Sequence, residues 1–398
     1  MLSLSMIVRD EAQRLEACLA SVRGFVDEMV VVDTGSVDNT VAIAEVQGAL
    51  VHRIPWPGDF APARNQALTW LKGDWVLVLD ADEQLLPQAW QPLRALMAQP
   101  DVLVINLLRH EQGAVQSPYS NVSRLFRRHP AIHWSRSYHA MVDDSVAELL
   151  QHEPHWRIAD CPEPALIHDG YRPELLAQGH KAQRLREAME AELLERPNDP
   201  YACAKLGSLE VAEGNSARGL ELLQRGLQHC PAAAHPERYE LLLHLAMAEA
   251  SGDPAAAVNR YREALAVPMA PRLSLAARLN LAALMLQQGG LPEAEELCRR
   301  ATAIAPEVGL GWYNLGLIRR RQGDIGGALE AYREARRLSP SHAETHQNLA
   351  VALLLGGDIE GARSSFRQAI GLLLEQGRDS EATQLRQQAG ALVKLEAA

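Results

Sequence analysis

"VLVLDADEQL", residues 76–85, runs four apolar residues straight into Asp80, Asp82 and Glu83. Carboxylates at the end of a buried strand are costly unless they are paired, hydrogen-bonded or bound to a cation. Either the strand surfaces here and the acids form a solvated turn, or they hold something positive. An isolated Asp-x-Asp is usually only a turn, so the surrounding sequence has to decide.

The stretches leading up to it alternate strand and helix. "LSLSMIV" reads as a strand, "DEAQRLEACLASV" as an amphipathic helix and "DEMVVVDTGS" as a strand ending in a turn. "DNTVAIAEVQG" is a helix with Asp38 or Asn39 at its cap and Gly48 just past its end. "ALVHRI" is a strand, "APARNQALTWLKG" a helix closed by Gly73, "DWVLVLD" a strand, and "DVLVINLLRH" a continuation of the same sheet. Repeated strand–helix units of this length predict a parallel sheet covered on both faces. Ligands of such sheets sit beyond the carboxyl ends of the strands, where Asp33 and Asp80 both fall.

Four ordered stretches, "SLSMIVRDE", "VVVDTGSVDNT", "DFAPARNQAL" and "LDADE", carry a resemblance over about residues 2 to 86. They resemble the GT-A glycosyltransferases of family two, in particular the subgroup that includes the S-glycosyltransferase of glycocin biosynthesis. The resemblance implies an α/β GT-A (Rossmann-like) domain that uses a nucleotide-sugar donor, normally a UDP-sugar. A divalent cation would neutralise the diphosphate and stabilise the leaving group, and hard oxygen ligands suit Mn²⁺ or Mg²⁺. Asp82 would bind that metal, and Asp80, followed by Ala81, would face the ribose or the metal's water shell. Asp33 would hydrogen-bond the base, the backbone near Val8 together with Glu11 would border the nucleotide, and Arg64 would offset the diphosphate charge unless it forms a surface salt bridge. The role of Glu83 is left open.

After residue 86 the resemblance thins. "VSRLFRRHPAIHWSRSYHAMV" is similar to the subgroup's R-x-F-R segment followed by a histidine, but this chain has His139–Ala140 where relatives often have His-Glu. "ALIHDGY" resembles the H-x-G-Y segment near the domain's end and makes His168 a candidate second metal ligand, with a structural histidine as the alternative. Family-two enzymes generally invert the anomeric centre by direct displacement, which needs a base. The usual Glu-Asp dipeptide is missing, which leaves Asp144, Asp143, Glu148, Asp169 and His139 as candidates.

The second half has a different grammar. Units beginning at Asn280, Asn314 and Asn348 are spaced by 34 residues, with small residues at Ala282, Gly316 and Ala350 and at Ala294, Ala328 and Ala362. This resembles the tetratricopeptide repeat; earlier units start near Pro200 and Arg238, giving five repeats and a capping helix after Gln376. The expected domains are 1–172 for the transferase, 173–197 for a connecting helix and 198–398 for the all-α repeat solenoid. Asn280, Asn314 and Asn348 occupy one position in three first helices, so a row of amides could hold an extended peptide acceptor in the groove. Self-association and domain bracing are the other uses open to the repeats.

Bulk properties narrow the field further. A formal charge of −11 over 398 residues argues against nucleic acid as the main partner. The five scattered cysteines form no C-x-x-C pair and predict reduced, mostly buried thiols in a cytoplasmic protein. No signal peptide or membrane span is expected. The leading reading is a metal-dependent transfer of a sugar to a peptide or protein acceptor. The alternatives are a glycan or lipid-linked acceptor with the repeats recruiting partners, or a non-enzymatic scaffold with a decayed transferase domain. A nucleotidyltransferase is disfavoured because "SLSMIVRDEAQRL" lacks a Gly-rich loop.

Overall fold

A computed structural model describes residues 1–114, 117–136, 140–169 and 181–394. The chain divides into two compact units, Met1–His229 and Cys230–Ala398. The strands of the first unit are β1 (Leu2–Val8), β2 (Glu28–Asp33), β3 (Leu50–Arg53), β4 (Trp75–Val78), β5 (Glu83–Leu85), β6 (Val102–Glu111), β7 (Tyr119–Arg127) and β8 (Arg157–His168). They form one sheet in the order β3-β2-β1-β4-β7-β6-β8-β5. Strands β3, β2, β1 and β4 are parallel, as the repeated strand–helix units predict. Beyond β4 the sheet becomes mixed. Strand β6 continues the sheet in the direction of the parallel set, but antiparallel β7 lies between it and β4, and β8 pairs parallel with its other edge.

Helices α1 (Leu15–Val22), α2 (Thr40–Val46), α3 (Phe60–Leu68), α4 (Trp90–Met97) and α5 (Asp143–His152) accompany this sheet. Leu4, Met6, Leu77 and Leu79 bury one side of it with Leu15, Leu19 and Leu93 of α1 and α4. Val30, Val32, Val76 and Phe126 bury the other with Ala61, Ala67, Val146 and Leu149 of α3 and α5. Because both faces are covered, the parallel strands are near-continuous apolar runs.

Two helix boundaries differ from the sequence reading. Helix α1 starts at Leu15, and Asp10, five residues before it, adopts a φ of +56°, outside the right-handed helical region. Helix α3 ends at Leu68, well before Gly73. That glycine serves a close approach instead: a Cβ there would lie 2.5 Å from Ser3 Oγ, which accepts the Gly73 N–H at 2.8 Å.

The first unit continues with α6 (Lys181–Glu195), α7 (Pro200–Ala212) and α8 (Ser216–His229). Met189 of α6 packs on Ala202 and Leu206 of α7. The second unit comprises α9 (His235–Glu249), α10 (Pro254–Ala266), α11 (Leu275–Gln287), α12 (Leu291–Ile304), α13 (Gly309–Gln322), α14 (Ile325–Leu338), α15 (Ala343–Leu355), α16 (Ile359–Glu375) and α17 (Asp379–Leu392). In chain order these are eight consecutive helices followed by α17, whereas the unit expected to start near Pro200, α7 and α8, falls in the first compact unit. Asp253, Asp324 and Asp358 each cap a second helix by accepting a backbone N–H at 2.8–3.0 Å. The small residues mark contact points: a Cβ on Gly316 would meet the Tyr332 ring at 2.6 Å, and Ala282, Ala294, Ala328, Ala350 and Ala362 are fully buried. All five cysteines are free and buried. Among the described residues, no helix is long and apolar enough to cross a membrane.

Candidate active site

The loops at the carboxyl ends of β1 and β2 are tied to each other. The N–H groups of Asp10, Glu11 and Ala12 donate to Ser36 Oγ, Thr40 Oγ1 and Asp38 at 2.9, 2.7 and 3.1 Å, and Val37 N–H returns a bond to Asp10 at 2.7 Å. The hydroxyl and N–H of Thr34 both donate to the Val8 carbonyl, at 3.1 and 3.0 Å. Asp33 is buried and accepts the N–H of Ser36 at 3.1 Å and of Gly35 at 3.3 Å. The result is a rigid rim around a cleft of about 410 Å³ lined by Asp33, Ser36, Asp38, Val41, Arg53 and Pro55. That volume suits a nucleoside.

Asp80 stands at the end of β4 between two arginines. Arg64 Nη2 donates to its Oδ1 at 2.7 Å and Arg124 Nη2 to its Oδ2 at 2.8 Å. Burial alone would raise the Asp80 carboxyl, but the charges of Arg124 and Arg64 hold it far below the ordinary carboxylate range. Arg64 is 6% exposed and lies 4.7 Å over the Trp134 ring, so its guanidinium is committed to Asp80 rather than open to solvent. Asn65, its neighbour on α3, fixes Trp134 by bonds to both its carbonyl and its N–H at 2.9 and 2.7 Å. Asp33 and Asp80 follow the carboxyl ends of β2 and β4, which flank β1, and buried Ala81 links Asp80 to Asp82.

Asp82 faces a different set. Its Oδ2 lies 3.5 Å from Arg14 Nη1 and 3.4 Å from His168 Nε2. Arg14 also grips Glu11 at 2.7 Å, and burial pushes the Glu11 carboxyl up in spite of that contact. Glu83 is fully buried, accepts the Asp80 N–H at 2.9 Å and is paired with Arg109 at 2.6 Å. Arg109 bonds Glu111 at 2.9 Å, and Glu111 Oε2 meets His168 Nδ1 at 2.5 Å. Burial disfavours the His168 cation, but the bonds to Asp82 and Glu111 outweigh it and raise the ring to about 9. No set of three or more His, Cys, Asp or Glu among the described residues could hold a metal ion. Asp82 Oδ2 and His168 Nε2 face each other across 3.4 Å and would hold a cation if the metal displaced the Nε2 proton, the remaining positions going to phosphate oxygens and water.

Asp143 and Asp144 begin α5 and differ sharply. Asp144 accepts from Arg136 Nε at 3.1 Å, Arg136 Nη2 at 3.2 Å and Ser135 at 2.8 Å. Burial opposes its charge, but those bonds outweigh it and lower the carboxyl below its usual value. Asp143, exposed to solvent, accepts from the Ser123 hydroxyl at 2.8 Å, and desolvation raises its carboxyl above its usual value. Ser123 and Arg124 are consecutive on β7 at the irregularity in its pairing with β6, so neighbouring residues reach Asp143 and Asp80. His139 lies outside the described residues.

A model of the glycosyl transferase family 2 matches residues 3–156, and a tetratricopeptide repeat model matches 247–308 and 313–382. A TPR repeat-containing protein of Synechococcus elongatus is 47% identical over 308 residues, 76% of this chain and 75% of its own. The chain is a family 2 glycosyltransferase that carries tetratricopeptide repeats. An uncharacterized glycosyltransferase of Rickettsia bellii is 28% identical over 48% of this chain and 72% of its own. The prophage-derived glycosyltransferase SunS of Bacillus subtilis is 31% identical over 20% of each chain. The crystal structure of MamA is similar over 44% of this chain and 97% of its own, at 20% identity and a TM-score of 0.38. This glycosyltransferase has the α/β GT-A domain and the helical repeats that its sequence implied.

Four residues in contact with the strand-end acids or His168 had not been singled out from the sequence: Arg14, Arg109, Glu111 and Arg124. Only Arg124 had a signal, as the first arginine of "RLFR". In the repeats, Asn280, Asn314 and Asn348 all lie on first helices, but each is at least partly buried. Asn348 donates to the Tyr313 hydroxyl at 3.2 Å and the Glu344 carbonyl at 3.0 Å, and Asn280 bonds Tyr261.

Proposed function

We propose that the enzyme moves a sugar from a UDP-sugar to a peptide or protein acceptor with inversion, and that it depends on Mn²⁺ or Mg²⁺. The observation that carries this reading is that the Asp33 cleft, the arginine-clamped Asp80 and the Asp82–His168 pair all stand at carboxyl ends of strands, β2, β4 and β8, that run in one direction. Asp33 and the rim around Val8 and Glu11 bind the nucleoside. Asp80, held rigid by Arg64 and Arg124, faces the ribose. Asp82 and His168 hold the cation, which when bound offsets the diphosphate charge and stabilises the leaving group. Asp143 removes the acceptor proton in preference to Asp144, because a carboxylate pulled down by Arg136 is a weak base.

Residues 1–172 form the catalytic domain in this reading, 173–197 a connector and 198–398 the acceptor-binding repeats, with Asn280, Asn314 and Asn348 on the groove. The buried free thiols suit a cytoplasmic setting. Calorimetry with UDP tests the donor site: affinity should rise strongly with Mn²⁺, and equal affinity in EDTA would remove the metal from the account. Mass spectrometry of peptide and lipid-linked acceptors incubated with a panel of nucleotide sugars tests the rest. Modification of only the lipid-linked set would overturn the peptide reading.

A further inference from the structure

A closed chain of hydrogen bonds leaves the acidic motif and returns to it. The Asp80 N–H donates to Glu83, Arg109 bridges Glu83 and Glu111, Glu111 meets His168 Nδ1, and His168 Nε2 faces Asp82. The sheet builds this ring. Glu83 on β5 is the cross-strand partner of His168 on β8, and His168 is the partner of Glu111 on β6. Ser120, paired with Arg109 across β6 and β7, donates its hydroxyl to Glu111. Glu83 is fully buried and Glu111 is 4% exposed, so neither touches a substrate. Two buried carboxylates around one guanidinium are an expensive arrangement for a strand edge unless the geometry they impose is used.

We propose that Glu83, Arg109 and Glu111 are positioning residues that fix the His168 ring, with Nδ1 turned to Glu111 and Nε2 turned to Asp82, so that Asp82 and His168 form a preset two-ligand seat for a divalent cation. This rests on the metal-dependent reading above. The physical logic is that of a carboxylate behind a metal-binding imidazole, which sets the ring's orientation and raises its donor strength. Arg109 locks Glu111 from behind and ties it to Glu83, whose bond to the Asp80 N–H sets the start of the loop that carries Asp82. The ring thereby joins the two ligands, which lie far apart in sequence, into one rigid element.

The test is Mn²⁺ binding in the presence of UDP, read by calorimetry and by the Mn²⁺ electron paramagnetic resonance signal. Glu111→Gln should weaken Mn²⁺ about 10–100-fold, the usual effect of losing such a partner. In a His168→Gln background, Glu111→Gln should add nothing, because Glu111 acts through His168. Wild-type affinity in Glu111→Gln, or additive losses in the double variant, would overturn the proposal. Should Glu111→Gln fail to fold, Ser120→Ala removes the hydroxyl that donates to Glu111 and accepts from Arg109 Nε, and should give a smaller loss of the same kind; no loss would count equally against it. The ¹⁵N resonances of the His168 ring in the metal-free protein separate this claim from the metal reading. They should move in either variant even if Mn²⁺ proves not to bind, and unmoved resonances would overturn the positioning role.

Discussion

Asp80 and Asp82 are two residues apart and are built for opposite purposes, which mutation should expose. Asp80→Ala leaves Arg64 and Arg124 buried side by side without their counter-charge. A broken buried pair costs about 3–5 kcal/mol, reduced to about 2–3 kcal/mol because the Asp80 carboxyl is 36% exposed and partly screened. Asp82→Asn loses only long contacts to Arg14 and His168 and should change stability by about 1 kcal/mol or less. Thermal unfolding of the two variants checks the contrast, and equal losses would contradict it. A similar contrast holds at α5. Asp143→Asn should cut transfer about 100-fold or more with little change in melting temperature. Asp144→Asn should chiefly lower the melting temperature, through Arg136; the reverse pattern would make Asp144 the base. Asp33, Asp80 and Asp82 were legible as strand-end acids because a carboxylate after an apolar run is locally improbable. Arg109 and Glu111 were not, since their meaning comes from a cross-strand partner 57 positions away in sequence.

At the scale of elements, the repeat helices offer paired tests of packing. Gly316→Ala drives a methyl into the Tyr332 ring and should destabilise by about 1–3 kcal/mol. Gly371→Ala, in the interior of α16 with nothing within 4 Å, should instead stabilise by about 0.5–1 kcal/mol. Urea unfolding compares them, and a shared sign would contradict this picture of the packing. Helix α15 should also be acid-sensitive. Burial lowers His346 and His342 below their usual values, with Arg336 and Arg378 acting the same way. The unfolded chain therefore binds more protons, so their contribution is present above about pH 6.5 and is lost as pH falls below it. Amide exchange in residues 343–355, corrected for intrinsic rates, should accelerate between about pH 7.5 and 5.5, and less so in His346→Gln. The 34-residue period made these helices readable, because each one repeats the same packing problem. The switch to antiparallel pairing after β4 was not readable, since an apolar strand has the same pattern in either direction once both faces are buried.

For the whole molecule, the proposed use of the repeats as the peptide-binding part can be tested apart from the donor site. Replacing Asn280, Asn314 and Asn348 together by Ala should raise KM for a peptide acceptor about 10-fold or more, at about 0.5–1.5 kcal/mol for each hydrogen bond. Donor hydrolysis without acceptor should hold steady. The bonds of Asn348 to Tyr313 and of Asn280 to Tyr261 set the competing outcome. A large loss of stability with KM unchanged in the folded fraction would make the amides braces rather than ligands. The central claim is that the strand-end acids form a working sugar-nucleotide site, and one comparison addresses it directly. Release of UDP from a panel of UDP-sugars is measured in Mn²⁺ for the wild type and for Asp82→Asn. The account predicts turnover of at least one UDP-sugar by the wild type and a fall of about 100-fold in the variant, with its fold intact. Equal turnover by the two proteins, or none by the wild type with any sugar nucleotide, would contradict it.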